Sequence, residues 1–326
     1  MSQDDSAANA PAKSRRWTGR TRGGVLGNWF FYVLMRFLGL RFAYAFLSPV
    51  VFYFLLFAPR AVKASSDYRC RLGYMESSWL NRIWNSYKHF LSFGKILLDR
   101  AAIIALSASK FEFVFEGEEH IRAALQEHKG VVMISAHCGN WEGAAHLLDR
   151  LDVPVNIVAY EGEAEHIRRF LNKAMANRSF SIISIDGEKD SSIAIMAALN
   201  RGEIVAMHAD RCLGEEGMVI PFLGGNARFP VGPYMVSAIS GAPLVCAFAM
   251  RQGVYRYHFY AYPAEHLAFS NRSQRQQVLR EWAGRYVSRL ENILRQYPLQ
   301  WHNFYDFWVS QTDSQQPGNK MGVSTR

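Results

Sequence analysis

The sequence predicts an α/β protein with a mostly parallel mixed sheet flanked by helices, and an N-terminal hydrophobic helical segment that associates with a membrane. Three observations predict it. Short apolar strand patterns alternate with helix patterns from residue 111 onward, as in βα units. Residues 42–59 carry no charge. Hydrophobic residues make up 49% of the 326 residues, which supports a large buried core.

The N-terminal third divides into two parts. Residues 1–22 are polar and then basic, and we expect a disordered basic N-terminus. Residues 23–108 read as a hydrophobic and amphipathic helical region that associates with a membrane. The uncharged run is long enough to cross a bilayer, and Ser48-Pro49 would kink it. The pattern fits spanning and lying in the interface equally well, and a buried core helix is the alternative reading.

Residues 109–310 are predicted to form the α/β domain, and the polar residues 311–326 a flexible tail. Alternating phenylalanines at the domain start predict a half-buried edge strand. A short turn around Gly253 makes the last two strands antiparallel neighbours. The predicted strands are 111–116, 131–134, 153–159, 179–185, 204–208, 244–250 and 255–262. The predicted helices are 120–127, one starting at Asn140, 164–176, 191–200 and 274–296.

The chemistry-bearing stretch is HCGNWE, residues 137–142, which directly follows a buried strand. Sites in such sheets lie beyond the carboxyl ends of the strands. If the chain turns at Gly139, the His137 imidazole faces the Glu142 carboxylate from the first turn of a helix capped by Asn140. Glu142 would then fix the tautomer of His137, and His137 would take a proton from an incoming hydroxyl.

The H-x-G-N-W-E motif resembles the lipid A biosynthesis acyltransferase branch of the lysophospholipid acyltransferase superfamily, whose signature is H-x4-D/E. The resemblance covers residues 111–262 and, more loosely, the whole chain. It implies transfer of a fatty acyl chain from an acyl carrier protein or coenzyme A thioester to a hydroxyl of a lipid or lipid-like acceptor. His137 and Glu142 would be catalytic, with no cofactor and no metal. The enzyme would work at the cytoplasmic face of the bacterial inner membrane.

The resemblance also implies substrate-binding residues. Asp210 ends a buried strand and resembles a site-shaping carboxylate, with a salt-bridged strand end as the alternative. Arg178 is the best match for an arginine that binds carbonyl or phosphate oxygens. Phe222 and Gly224 lie in the glycine-rich residues 219–233, which resemble a loop that approaches an acyl chain. A turn-rich surface loop is the alternative for that stretch.

Residues around the motif have predicted roles as well. Gly139 leaves room for the thioester. Backbone N–H groups near Asn140, or an arginine, would hold the developing oxyanion. Cys138 as a nucleophile is a disfavoured alternative, since the family transfers directly. His208 reads as a satisfied core or wall histidine.

Charge and cysteine content bound the partners. The net charge of +9 fits an anionic membrane surface or an acidic carrier protein, and no Lys/Arg run follows a nucleic-acid module, so we expect no nucleic-acid partner. Four scattered cysteines indicate reduced thiols. A non-catalytic lipid-binding or assembly protein of the same fold is the alternative function. Residues 300–308 lack the basic side chains that lipid A phosphates favour, which leaves the acceptor open among lipid A, phospholipid, aryl polyene and other lipids.

Overall fold

The computed structural model describes residues 25–106, 108–141, 149–159, 180–185, 190–212, 217–269, 271 and 273–309. Nine strands are described within these ranges: β1 Glu112–Glu116, β2 Val131–Ser135, β3 Val155–Ala159, β4 Phe180–Ser184, β5 Ile204–His208, β6 Met218–Phe222, β7 Gly225–Phe229, β8 Leu244–Gly253 and β9 Arg256–Ala261. The described α-helices are α1 Val25–Leu38, α2 Leu40–Phe57, α3 Pro59–Arg71, α4 Trp79–Leu106, α5 Glu118–Leu125, α6 Asp190–Asn200, α7 Gly232–Ser240 and α8 Arg275–Gln296.

Seven of these strands form one mixed sheet in the order β1-β9-β8-β2-β5-β3-β4. All neighbouring pairs are parallel except β8 and β9, which pair as an antiparallel hairpin. Strands β1 and β9 therefore run opposite to the other five. The predicted fold class, the edge position of β1 and the antiparallel pairing of the last two strands are confirmed.

The two faces of the sheet bury separate cores because side chains alternate along each strand. Ile134 and Val205 face a core shared with α6, α7 and α8, whereas Met133 and Ile204 face a smaller core closed by α5. Burial on both faces explains why the central strands read as continuous apolar runs in the sequence.

The N-terminal helices form a third core of their own. Helices α1, α2 and α4 pack around Leu40, Leu47 and Ile103, and this cluster reaches the sheet through Tyr257. Helix α2 runs through Pro49, and the boundaries between the helices fall at Gly39 and Ala58. The kink expected at Ser48-Pro49 stays a prediction. Gly39 has a φ of 83°, a positive value that glycine adopts readily, and it separates α1 from α2.

The glycine-rich residues 219–233 differ from the loop that the sequence predicts. Strands β6 and β7 pair antiparallel, joined by a two-residue turn at Leu223 and Gly224 with φ values of 47° and 72°. Positive φ at both central residues is the geometry of a tight hairpin. Apolar residues that alternate around two glycines are the sequence signal that could have predicted this hairpin.

Candidate active site

Parallel strands β2 and β5 bring two polar side chains to the same edge of the sheet. His137 follows the end of β2, and Asp210 follows the end of β5. The register pairs Ser135 with His208, so both residues emerge at the same height. His137 Nδ1 lies 2.7 Å from Asp210 Oδ1. The structure thus joins two residues that the sequence placed in separate motifs.

Asp210 is fully buried and its second oxygen, Oδ2, accepts three further N–H groups. They are the backbone N–H of His137 at 3.0 Å, the indole N–H of Trp301 at 3.1 Å and the Nδ2 amide of Asn303 at 3.0 Å. Burial alone would raise the pKa of Asp210, but His137 and the hydrogen bond to it lower that pKa well below its usual range. The carboxylate therefore stays ionised and holds the proton of His137 on Nδ1, which leaves Nε2 as the ring nitrogen that can accept a proton.

The turn at residues 137–140 is locked against two neighbouring segments. Gly139 donates its backbone N–H to the Gln300 carbonyl at 2.9 Å, and Asn140 donates its own to the Ala249 carbonyl at 2.8 Å. Gly139 has a φ of 57°, and a Cβ there would lie 1.9 Å from the Ala249 carbonyl oxygen. Glycine is thus required here by the close approach of β8.

Helices α3 and α4 anchor the segment that carries Trp301. His89 Nε2 lies 2.8 Å from the Trp301 carbonyl oxygen, and its Nδ1 lies 2.8 Å from Ser65 Oγ. Burial lowers the pKa of His89 to about 3, so the ring is neutral near pH 7. A neutral ring can donate from Nε2 to the carbonyl and accept the Ser65 hydroxyl on Nδ1. The helical region thereby positions a residue that bonds Asp210.

His208 departs from the satisfied histidine that the sequence predicts. Its ring centroid lies 4.1 Å from that of His137, and Trp141 contacts it edge-on. Within the described residues, neither buried ring nitrogen has a hydrogen bond of ordinary geometry, although the Ser135 backbone lies close enough to the ring to act on its pKa. Burial lowers the pKa of His208 well below its usual range, and the neighbouring His137 lowers it further. His208 is therefore neutral near pH 7.

Three potential metal ligands also lie at this edge of the sheet. In the part of the chain that the structure describes, His137, His208 and Asp210 offer ligand atoms within 4.8 Å of one another. The Asp210 oxygens, however, already accept N–H groups from His137, Trp301 and Asn303. This carboxylate is arranged as a hydrogen-bond acceptor that orients an imidazole, a geometry that suits acid–base chemistry.

The other residues predicted for the site are distributed differently. Phe222 is fully buried, with its ring centroid 5.4 Å from that of Trp301, so it lies one layer behind Asp210. Gly224 lies in the β6–β7 turn. Glu142 and Arg178 fall outside the described residues, and their roles stay predictions. Sequence reasoning gave no role to Trp301 and Asn303, although QWHN places polar groups among aromatics.

Cys138 does not resemble an activated nucleophile. Its side chain is buried, and burial raises the pKa of the thiol well above its usual range. The nucleophile in cysteine enzymes is the thiolate, which this environment disfavours. The direct-transfer reading of the motif agrees better with this position.

A cavity of about 330 Å³ lies elsewhere, at the carboxyl ends of β1 and β9. Those strands run opposite to the ones that carry His137 and Asp210. Its lining includes Glu116, Glu119 and His120. This cavity is therefore separate from the candidate active site. Its lining is polar, unlike the apolar lining of an acyl-chain channel.

Comparison with known proteins adds the following. The sequence model of one family, the bacterial lipid A biosynthesis acyltransferases, matches residues 32–310. The chain is 24% identical over 204 residues to the phosphatidylinositol mannoside acyltransferase of Mycobacterium tuberculosis, in both strain H37Rv and strain CDC 1551, which covers 62% of each chain. It is 23% identical over 193 residues to that of Mycolicibacterium smegmatis, which covers 59% of this chain and 61% of the relative. The match spans about three fifths of the length of these curated relatives.

Proposed function

Because the chain belongs to the bacterial lipid A biosynthesis acyltransferase family, we propose that it is a membrane-associated O-acyltransferase. It moves a fatty acyl chain from an acyl thioester to a hydroxyl of a lipid or lipid-like acceptor. The single observation that carries this proposal is the 2.7 Å contact between His137 Nδ1 and the buried Asp210 carboxylate. A neutral imidazole held by a buried carboxylate is the arrangement of a general base.

In the proposed reaction, Nε2 of His137 accepts the proton of the acceptor hydroxyl. The hydroxyl oxygen attacks the thioester carbonyl carbon and forms a tetrahedral oxyanion. This intermediate collapses as the C–S bond breaks, and the thiolate leaving group takes the proton from the His137 imidazolium. Asp210 stabilises that imidazolium and keeps the ring oriented. The ester and the free thiol are the products.

The oxyanion needs donors that the protein does not already use. The backbone N–H groups of Gly139 and Asn140 are engaged with carbonyls of the protein. We therefore assign the oxyanion to Arg178, or to N–H groups that follow Trp141, where Glu142 would also lie. Within this proposal, Glu142 acts beside the base, and Asp210 takes the orienting role on Nδ1 that the sequence gave to Glu142.

The donor is acyl carrier protein or acyl-coenzyme A, and the site is proposed to lie at the cytoplasmic face of the bacterial inner membrane. The relatives' name supports a lipid acceptor. An acidic carrier protein suits a chain with a net charge of +9.

The direct test incubates the purified full-length protein with each radiolabelled acyl thioester and a bacterial lipid extract. We expect label to move into lipid, and we expect His137→Ala to abolish the transfer while far-UV circular dichroism stays unchanged. His266→Ala is the matched control, because that imidazole is exposed and pairs with Glu127. Near-full transfer by His137→Ala contradicts the mechanism. Failure of both donors, with retained lipid binding, favours the non-catalytic lipid-binding alternative.

A further inference from the structure

The helices α1, α2 and α4 expose a large apolar surface, which we call the aromatic face. Its members are bulky, water-facing side chains. They are Trp29, Phe30, Tyr32, Phe37 and Leu38 on α1, Phe42, Phe46, Val50, Phe52, Tyr53, Leu56 and Phe57 on α2, and Trp79, Leu80, Ile83 and Trp84 on α4. Phe37 is 78% exposed and Leu56 is 63% exposed. A contiguous apolar surface of this size marks an interaction site.

Ring contacts connect the aromatic face across the three helices. Phe30 of α1 meets Phe46 of α2 edge-on, with centroids 5.8 Å apart. Trp84 of α4 stacks on Tyr87 at 5.3 Å, and the Tyr87 hydroxyl is hydrogen-bonded to Ser48 of α2. These contacts connect exposed side chains of the three helices across the helix boundaries.

The charge around the aromatic face is strongly positive. Residues 25–106, all described, contain ten Lys and Arg residues against three acids. Of those acids, Glu76 and Asp99 are buried against Arg69 and Arg251. The exposed cations are Arg36, Arg41, Arg60, Lys63, Arg82 and Lys88. An apolar surface bordered by cations complements a bilayer that carries anionic headgroups.

Helix α2 has the length and composition of a membrane span, with 18 residues and a mean hydropathy of 1.8. Its packing argues against crossing. Along its inner side, Tyr44 bonds Asp99, Leu47 packs on Gly94, and Ser48 bonds Tyr87. These contacts pack residues 44–48 of α2 against residues 87–99 of α4 in antiparallel order, so the two helices share one position relative to a membrane.

Helix α4 is too polar for the bilayer core. It carries Arg82, Lys88, Lys95, Asp99 and Arg100 within its 28 residues, and each charge at the centre of a bilayer costs about 3 kcal/mol or more. Asp99 also bonds Arg251 of β8 at 3.0 Å, which ties the helices to the sheet. A spanning α2 would have to leave α4 or draw these charges into lipid.

We propose that the aromatic face seats α1, α2 and the start of α4 in the plane of one leaflet of an anionic bilayer, without crossing it. The cations Arg36, Arg41, Arg60 and Lys63 then lie at headgroup level. This inference deepens the proposed function by specifying how the enzyme meets the membrane. The membrane that contains the lipid acceptor then lies directly against the protein.

The first experiment is vesicle flotation with the full-length protein, using phosphatidylcholine alone and with 30% phosphatidylglycerol. We expect binding to the mixed vesicles, weakened by salt. The double variant Phe37→Glu/Leu56→Glu should lower the partition coefficient roughly tenfold or more. The double variant Ile193→Glu/Ile239→Glu is the matched control, because these residues on α6 and α7 are 67% and 66% exposed.

Charge is tested separately with Arg60→Gln and Lys63→Gln, each expected to weaken binding to anionic vesicles about fivefold. Arg280→Gln, an exposed residue of α8, is the control. The His137→Ala variant should bind vesicles like the wild type, so loss of acyl transfer and loss of membrane seating are read independently.

The second experiment measures depth. Nitroxide labels at Phe42→Cys, Phe46→Cys and Phe57→Cys, with the exposed Cys70 replaced by serine, report immersion on bound vesicles. An in-plane helix gives similar shallow depths, whereas a spanning helix separates the two ends by about 22 Å. A depth gradient of that size overturns the proposal. Unchanged flotation of the Phe37→Glu/Leu56→Glu variant also overturns it. The same holds if this variant only converts a dimer to a monomer, or only loses binding to acyl carrier protein.

Discussion

The His137 imidazole is held by a carboxylate that accepts N–H groups from three residues. Asp210 accepts from the ring and the backbone of His137, from Trp301 and from Asn303. Arg211 in turn bonds the Asn303 side-chain oxygen at 2.6 Å, which orients the amide so that its NH2 faces Asp210. The carboxylate is therefore fixed in position as well as ionised, and the tautomer of His137 follows from it.

At this scale we predict that Asp210→Asn lowers kcat for acyl transfer by about a hundredfold or more. The amide cannot remain an acceptor on both atoms, so His137 loses its fixed tautomer or a neighbouring N–H loses its partner. Radiolabel transfer at saturating donor measures the effect. Glu142→Gln is assayed in parallel, so that the loss of kcat from each of the two carboxylates can be compared. An Asp210→Asn enzyme with near wild-type kcat would refute the orienting role.

Between elements, the turn after β2 is held by contact with β8. Gly139 lets the chain pass so close to the Ala249 carbonyl that no side chain fits. The hydrogen bonds of Gly139 and Asn140 then set where His137 leaves the strand. The position of His137 therefore depends on how the turn packs against the sheet, because the turn residues by themselves could adopt other conformations.

We predict that Gly139→Ala destabilises the protein by about 2–4 kcal/mol, because the new Cβ overlaps backbone and the residue has a positive φ. The midpoint of urea unfolding measures this loss. Gly284→Ala is the control: it lies inside α8 with open space around it, and should stabilise by about 0.5–1 kcal/mol. Equal midpoints for the two variants would show that the close approach to β8 is relaxed in solution.

The sequence anticipated most elements of the sheet for a physical reason. Strands buried on both faces are apolar throughout, and each was flanked by residues with helical periodicity, as for β2 and β5. The sequence does not predict the β6–β7 hairpin, because its glycines also fit a loop that approaches a ligand, whereas in the structure they allow the turn at Leu223 and Gly224. The local sequence pattern indicates where the chain turns. The register of the paired strands shows that this turn joins the two strands of a hairpin.

Across the whole molecule, several buried imidazoles make the fold sensitive to acid. Burial lowers the pKa of His89 to about 3 and the pKa values of His208 and His302 well below their usual range. Unfolded, each ring takes up a proton near pH 6.5. Between about pH 6.5 and pH 3 the unfolded chain therefore binds more protons, and stability falls as the pH falls through that window.

We predict that the urea midpoint of the full-length protein is lower at pH 5 than at pH 7.5, with a slope of up to about 1.4 kcal/mol per pH unit for each buried ring. The lowered pKa of Asp210 acts in the same direction below about pH 4. His266→Gln, at an exposed position, should leave the slope unchanged. A midpoint that rises toward pH 5 would mean that these rings are protonated in the folded state.

The sequence by itself determined the α/β class, the position of His137 at a strand end and the apolar character of α2, because each depends on a local run of residues. Only the tertiary structure decided that Asp210, 73 residues away, holds His137. It also decided that Trp301, 91 residues from Asp210, donates a hydrogen bond to the same carboxylate. Such partners depend on strand order and register, which no local pattern contains. The same holds for α2: its composition permits a membrane span, and the charged helix packed along it argues for the interface.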